Sequence, residues 1–126
     1  MTARVLVVDD AATVRAYHGS LLRDAGFEVG EAVNGVEALE AALTGEYDLY
    51  LVDVNMPKMD GYTCVCELRG QPATEHAPIV MISTEDRQTD AEQAYEAGAN
   101  VYLTKPVPGP RLVWLARMLT GDGLRP

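Results

Sequence analysis

Cysteine is nearly absent from this chain: there are two, Cys64 and Cys66, with one residue between them. Residues so close in one segment cannot staple distant parts of the chain together, so neither a disulfide framework nor an oxidising compartment is implied. On a helix, positions i and i+2 point apart, which argues against a shared metal and predicts one packed thiol and one exposed thiol. Basic residues are scarce as well. Ten Lys plus Arg stand against nineteen Asp plus Glu, a formal charge of −9 that repels phosphate backbones and anionic lipid. Neither nucleic acid nor a membrane is therefore expected as a partner. No stretch approaches the ~18 unbroken apolar residues of a membrane span. The opening MTARVLVVDD places only a short apolar run between Arg4 and two aspartates, too little for a secretory leader, so a cytoplasmic protein is expected. P-loop and GxGxxG signals are missing too, as are repeats, low-complexity tracts and linkers.

What is present is enough for one core: 126 residues, 48% of them apolar, fall within the usual size of a single domain. Short runs rich in Val, Ile and Leu alternate with stretches of 3.6-residue periodicity, the βα alternation that builds a parallel sheet covered on both faces. The strands are expected at Arg4 to Val8, Phe27 to Ala32, Leu49 to Asp53, Ile79 to Ser83 and Val101 to Thr104. Glu28 and Glu31 mark the second as an edge. Five helices are expected between and after them. Val14, Tyr17, Leu21 and Leu22 form the inward face of the first; Val36, Leu39 and Leu43 that of the second, between an Asn34 cap and a Gly45 stop. The third runs from about Gly61 to Arg69 with Val65 and Leu68 inward. The fourth carries Ala91, Ala94, Tyr95 and Gly98 on one stripe, and the last starts near Pro110. The tail after Leu119, TGDGLRP, reads as a fraying end that leaves no room for an output domain.

In doubly wound sheets ligands bind beyond the carboxyl ends of the strands. Polar residues collect at those ends here: Asp9 and Asp10 after the first strand, Asp53 on the third, Ser83 on the fourth, Lys105 after the fifth. Three carboxylates at one end of a sheet repel one another unless a cation is shared or protons are taken up. Magnesium suits such a cluster, since it takes one or two carboxylates plus waters and phosphate oxygens. Lys105 and Ser83 would add a positive charge and a hydroxyl donor for a tetrahedral oxyanion. Each residue alone has a bland reading, as a helix cap, a turn residue or a solvated charge; together they describe a phosphoryl site. An attacking carboxylate would form an acyl phosphate, although charge and position alone do not separate Asp53 from Asp9 or Asp10 in that role.

The segments VLVVDD, VDVNMPKMDG, VMISTE and YLTKP, in that order and spacing, resemble the receiver domain of two-component response regulators, over roughly residues 4 to 119. Among these the chain is most similar to free-standing, CheY-like chemotaxis regulators. The resemblance implies a flavodoxin-like, doubly wound five-stranded parallel sheet of order 2-1-3-4-5 with five helices. It implies that Asp53 is the phosphoacceptor, that Asp10, Asp53 and the backbone carbonyl of Asn55 hold Mg2+, and that Asp9 holds it through water. Lys105 would contact the phosphoryl group, Ser83 and Tyr102 would act as the switch, and the Lys105–Pro106 bond would be cis. Asn55 and Glu85 would tune dephosphorylation towards fast decay. The readout would lie on the face of the fourth helix, fifth strand and fifth helix. Implied partners are a sensor histidine kinase or histidine phosphotransferase and the flagellar motor switch protein. The chain would be no conventional enzyme, catalysing only its own phosphorylation and dephosphorylation.

Departures bear on the partner. Thr84 is bulkier than the residue usual beside the switch hydroxyl, and Gln88, Ala91 and Glu92 carry less positive charge than a motor-binding face. A phosphate sink or relay intermediate is the rival within the family. A haloacid-dehalogenase-like phosphatase needs a titratable acid two residues after its nucleophile, where Asn55 stands. A calcium loop of the EF-hand type needs glycine where Lys58 stands. The last helix, RLVWLARML, is apolar nearly all round. Leu112, Leu115 and Leu119 fill the core, and Val113, Trp114 and Met118 are left over for a partner or self-association surface in a monomer or weak dimer. His18 and His76 have no recognisable partner in the sequence and are read as incidental.

Overall fold

The computed structural model describes residues 2–121. Strands and helices alternate in the order β1 (Arg4–Val8), α1 (Ala12–Asp24), β2 (Glu28–Ala32), α2 (Gly35–Thr44), β3 (Leu49–Asp53), α3 (Gly61–Arg69), β4 (Ile79–Ser83), α4 (Gln88–Ala97), β5 (Val101–Thr104) and α5 (Gly109–Thr120). All the strand pairs are parallel, and the sheet order is β2-β1-β3-β4-β5, the doubly wound arrangement expected from the sequence. Only β2 begins later than predicted, by one residue. Phe27 N–H donates to Leu22 O at 3.0 Å, so Phe27 closes the turn out of α1 instead of joining the ladder.

The strand period of two divides the interior into two cores. Leu6, Val8, Tyr50, Val52, Ile79 and Met81 face α2, α3 and α4. Val5, Val7, Leu49, Leu51, Val80 and Ile82 face α1 and α5. Central strands buried on both faces read as continuous apolar runs, which is why β1, β3 and β4 stand out in the sequence.

The helices follow the expected spans but not always the expected rotation. Tyr17, Val36, Leu43 and Tyr95, predicted inward, are exposed. The sheet lies close to the helices, so small residues face it: Ala38 and Ala42 on α2, Ala94 on α4, Gly19 beside Leu22 on α1; Gly35, at the start of α2, lies against Met59 instead. Large side chains on those stripes would have no room. Asn34 caps α2 through Glu37 N–H at 2.8 Å, and Asp60 caps α3 through Thr63 N–H at 2.8 Å. Cys64 is buried and Cys66 exposed, as the spacing required. The predicted fraying tail lies, beyond Gly121, outside the described residues. Among the described residues no helix is long and apolar enough to cross a membrane.

Two features shape the end of the sheet where the polar residues gather. A Cβ on Gly61 would collide with the backbone carbonyl of Asp53, so glycine there lets the loop after β3 fold back onto the strand. Lys58, at the tip of that loop, has φ +69°, a left-handed conformation uncommon for a non-glycine residue. At the opposite end Arg69 ties α3 to the neighbouring loops, donating to Ala77 O (2.6 Å), Gly98 O (2.8 Å) and Asn100 Oδ1 (2.9 Å).

Candidate functional site

β1 ends at Val8, and the next residue, Asp9, adds a last rung through its N–H to Ala32 O at 3.1 Å. Its Oδ1 accepts from Ala11 N–H at 2.9 Å and turns the chain into α1. Arg15, one turn on, donates to Asp9 O at 2.8 Å and to Glu31 Oε1 at 2.9 Å, which pins that turn to β2. Asp9 is buried and Asp10 exposed, while Asp53, the last residue of β3, is 6% exposed. One oxygen from each of the three lies within 4.8 Å of the others.

Lys105 reaches this cluster from the loop after β5. Its N–H donates to Ser83 O at 2.7 Å, and its bond to Pro106 is cis. The Nζ atom donates to Asp53 Oδ1 at 2.9 Å and to Asp9 Oδ2 at 3.2 Å, bridging carboxylates from two strands. Burial pushes the Asp53 carboxyl above the usual aspartate range; the Lys105 hydrogen bond opposes this, and the charges of Asp9 and Asp10 reinforce it. Burial pulls Lys105 down, but its bonds and charges with Asp53 and Asp9 outweigh that and hold it above the ordinary lysine value. Three carboxylates against one ammonium leave an uncompensated negative charge. An oxygen-ligated divalent cation is the chemistry this donor set fits.

The remaining predicted residues are placed around this centre, not all in contact with it. Asn55 is exposed on the loop after β3. Ser83 is buried, and its Oγ accepts from Glu85 N–H at 3.1 Å; among the described residues no hydrogen bond joins that hydroxyl to the side chain of Asp53 or Lys105. The Tyr102 hydroxyl lies beside that of Ser83 and donates to Glu85 O at 2.6 Å. Burial raises the Tyr102 phenol, so it remains a donor at neutral pH. Trp114 and Met118 are exposed and Val113 half-buried on α5, away from the carboxylates.

His18 is not incidental: it is buried and packed in the same closed interior region as Asp9 and Asp53. Burial lowers its pKa, Asp9 opposes that and Lys105 adds to it, so the imidazole is neutral at pH 7. Its spacing from Val14 and Leu22, four residues each way, was the available signal. His76, in contrast, is exposed. Arg15 and Gly61 were missed because their roles are contacts with backbone carbonyls, for which sequence carries no period.

A doubly wound α/β domain with a lysine-bridged cluster of carboxylates at the carboxyl ends of its strands is the class that this topology and this end of the sheet define. The response regulator receiver domain profile matches residues 5–117. The chain belongs to that family. It is 41% identical over 121 residues to the response regulator PleD of Caulobacter vibrioides, covering 95% of this chain but 26% of PleD. It is 36% identical over 104 residues to the chemotaxis protein CheY-3 of Vibrio cholerae, covering 82% of this chain and 80% of that one. Among solved structures, chemotaxis response regulator CheY4 of Vibrio cholerae superposes with a TM-score of 0.89 at 34% identity, over 94% of this chain and 99% of that chain. The receiver domain of sensor histidine kinase PA1611 from Pseudomonas aeruginosa, solved with magnesium in its active-site cleft, gives 0.89 at 29% identity, over 96% and 99%. The chain thus spans about a quarter of PleD and most of the chemotaxis proteins.

Proposed function

We propose that this chain is a phosphoryl-accepting response regulator, phosphorylated on Asp53 by a histidine kinase or histidine phosphotransferase in the cytoplasm. The observation that carries this reading is the Lys105 ammonium held between Asp53 and Asp9 with Asp10 in reach. Asp10, Asp53 and the Asn55 carbonyl would hold Mg2+, with Asp9 acting through water. When bound, that ion supplies positive charge for the phosphoryl oxygens and offsets the repulsion among the carboxylates. An Asp53 oxygen attacks the donor phosphorus, the P–N bond to the donor histidine breaks, and the leaving imidazole takes up a proton. Lys105 turns from a carboxylate partner into a phosphoryl partner at the same position.

The product carries a dianionic group where Asp53 had one charge. Ser83, now bonded to Glu85 N–H, is one strand away and can turn towards it, which frees the space beside its hydroxyl for Tyr102. Tyr102 in turn releases Glu85 O, so the loop into α4 is redrawn and the α4–β5–α5 face reports the modification. Asn55 and Glu85 would tune the later hydrolysis of the acyl phosphate. The chain is a substrate and switch that assists its own phosphorylation and dephosphorylation; with Asn55 in place of a titratable acid it lacks the group a haloacid-dehalogenase-like phosphatase requires.

Likeness to CheY-3 supports a chemotaxis output at the flagellar motor switch. A phosphate sink or relay is favoured by a different observation: exposed α4 presents Gln88 hydrogen-bonded to Glu92, with Glu96 beyond, and little positive charge. Incubation with a small phosphodonor and Mg2+ should add one phosphoryl group to the wild type and none to Asp53→Asn by intact mass. No added mass on the wild type refutes the reading. Phosphorylation-dependent capture of a motor switch protein selects the chemotaxis output, and capture of kinases or phosphotransferases alone selects the sink or relay.

A further inference from the structure

Every polar atom of Asp9 is engaged within the protein. Its N–H donates to Ala32 O (3.1 Å), Oδ1 accepts from Ala11 N–H (2.9 Å), Oδ2 accepts from Lys105 Nζ (3.2 Å), and the carbonyl accepts from Arg15 Nη1 (2.8 Å). Asp10 is the opposite case: it is exposed, and no hydrogen bond to another described residue holds its carboxylate. Yet one of its oxygens lies within 4.8 Å of oxygens from Asp9 and Asp53. What aims that side chain is the main chain that precedes it.

We propose that Arg15 is a positioning residue for the cation site, aiming Asp10 at the metal by fixing the peptide bond between Asp9 and Asp10. This rests on the reading of the three carboxylates as a Mg2+ site. The peptide group is planar, so the carbonyl that Arg15 holds, together with the Ala32 rung on the other side of Asp9, sets the plane from which the Asp10 Cα departs. Arg15 is well placed for this. It stands in the first turn of α1, where helical side chains lean towards the N-terminus and so reach back to the loop. Its Nε donates to Glu31 Oε1 at 2.9 Å, and Arg23 holds the other Glu31 oxygen at 3.1 Å. Glu31 belongs to β2, in register with Val7 of β1, so the guanidinium is braced against the sheet while it holds the loop.

Charge and stability do not account for this arrangement. An ion pair with a glutamate on the sheet edge contributes little to stability by itself, and positive charge beside a cation site opposes the cation. What the guanidinium supplies is direction: two donors in one rigid plane, one on the sheet edge and one on the loop carbonyl. Direction matters most for Mg2+, which demands near-octahedral geometry at short distances, and less for Ca2+, whose larger shell is flexible. Replacing a residue that orients a metal ligand without touching the metal typically changes affinity by about 10- to 100-fold. Arg15 acts through a main-chain carbonyl one residue away, so the lower end of that range applies.

Isothermal calorimetry of Mg2+ and of Ca2+ with the whole chain, without phosphodonor, tests this apart from the chemistry on Asp53. Arg15→Lys, which keeps the charge and loses the planar pair of donors, should weaken Mg2+ binding about tenfold and Ca2+ binding by less, so that selectivity between the ions shifts. Arg15→Gln should lose Mg2+ affinity as well. Arg23→Gln removes the same charge as Arg15→Gln without touching the Asp9 carbonyl, and should bind Mg2+ no more weakly than the wild type. Thermal unfolding in EDTA separates out a merely structural role, which would lower the melting temperature of the Arg15 variants and leave their Mg2+ dissociation constants unchanged. Mg2+ affinity preserved in both Arg15 variants, or a loss that Arg23→Gln shares in full, would overturn the proposal. A wild type that binds neither ion would instead refute the metal reading itself, and the proposal with it.

Discussion

Replacing Asp53 with Asn should make the metal-free protein more stable at neutral pH, although it removes a hydrogen-bonded, lysine-paired side chain. Asp53 is buried, one of its neighbours is an ammonium at 2.9 Å, and oxygens of two like charges lie within 4.8 Å. At an effective dielectric of about 20, each carboxylate pair at that spacing costs roughly 3 kcal/mol and the lysine contact returns roughly 5 to 6 kcal/mol. The two repulsions thus cancel the attraction, and the unrelieved desolvation of a buried anion leaves a net liability on the order of 1 kcal/mol. The amide keeps the shape and an acceptor for Lys105, which also retains Asp9. For a domain of this size about 1 kcal/mol corresponds to roughly 4 °C in melting temperature. The sign with pH follows from the raised Asp53 pKa. Below about pH 4 the carboxyl is protonated in folded and unfolded chain alike, and this difference vanishes. As pH rises through the folded-state pKa the wild type loses stability and the Asp53→Asn variant loses none, so the gap opens there and persists to neutrality. Thermal unfolding in EDTA at closely spaced pH values measures it. Mg2+ at tenfold its dissociation constant should then raise the wild type by about 1.4 kcal/mol and the variant by less. A variant less stable than wild type at pH 7 in EDTA, or a gap that does not change from pH 4 to 8, would refute the reasoning.

Three other perturbations follow from single contacts. Gly61→Ala forces a Cβ into the Asp53 carbonyl and should cost about 2 to 3 kcal/mol in urea unfolding, while also slowing phosphorylation because the Asp53 backbone must move; a change below about 0.5 kcal/mol in the former would show that the loop yields freely. Arg69→Ala leaves the carbonyls of Ala77 and Gly98 without their donor and should destabilise by about 3 kcal/mol, with amide exchange rising first in the loops those carbonyls join. Phosphate release from the phosphorylated chain should finish within seconds to minutes, and Asn55→Ala or Glu85→Ala should change its rate; a wild-type time course lasting hours would contradict the roles given to both residues.

The strands were legible in the sequence because burial on both faces leaves only apolar residues. The apolar runs of β1, β3 and β4 give way to Asp9, Asp53 and Ser83, which are themselves buried, at the ends of the strands where the polar site lies. Helix spans were legible from caps such as Asn34 and stops such as Gly45. Helix rotation was less so. Weighting large apolar residues turned Val36, Leu43 and Tyr95 inward, whereas the short distance to the sheet admits alanine on that side. Charge and strand position alone could gather three carboxylates at one end of the sheet but could not rank them. Tertiary structure decided that Lys105, 96 residues from Asp9, bridges Asp9 and Asp53, that Asp10 stays exposed, that Ser83 turns to Glu85, and that His18 packs in the same closed interior region as Asp9 and Asp53. Periodicity records which side of an element is dry, a local property of the chain. Which side chains meet across strands depends on sheet order and on the closeness of packed layers, and these exist only once the whole chain has closed around its core.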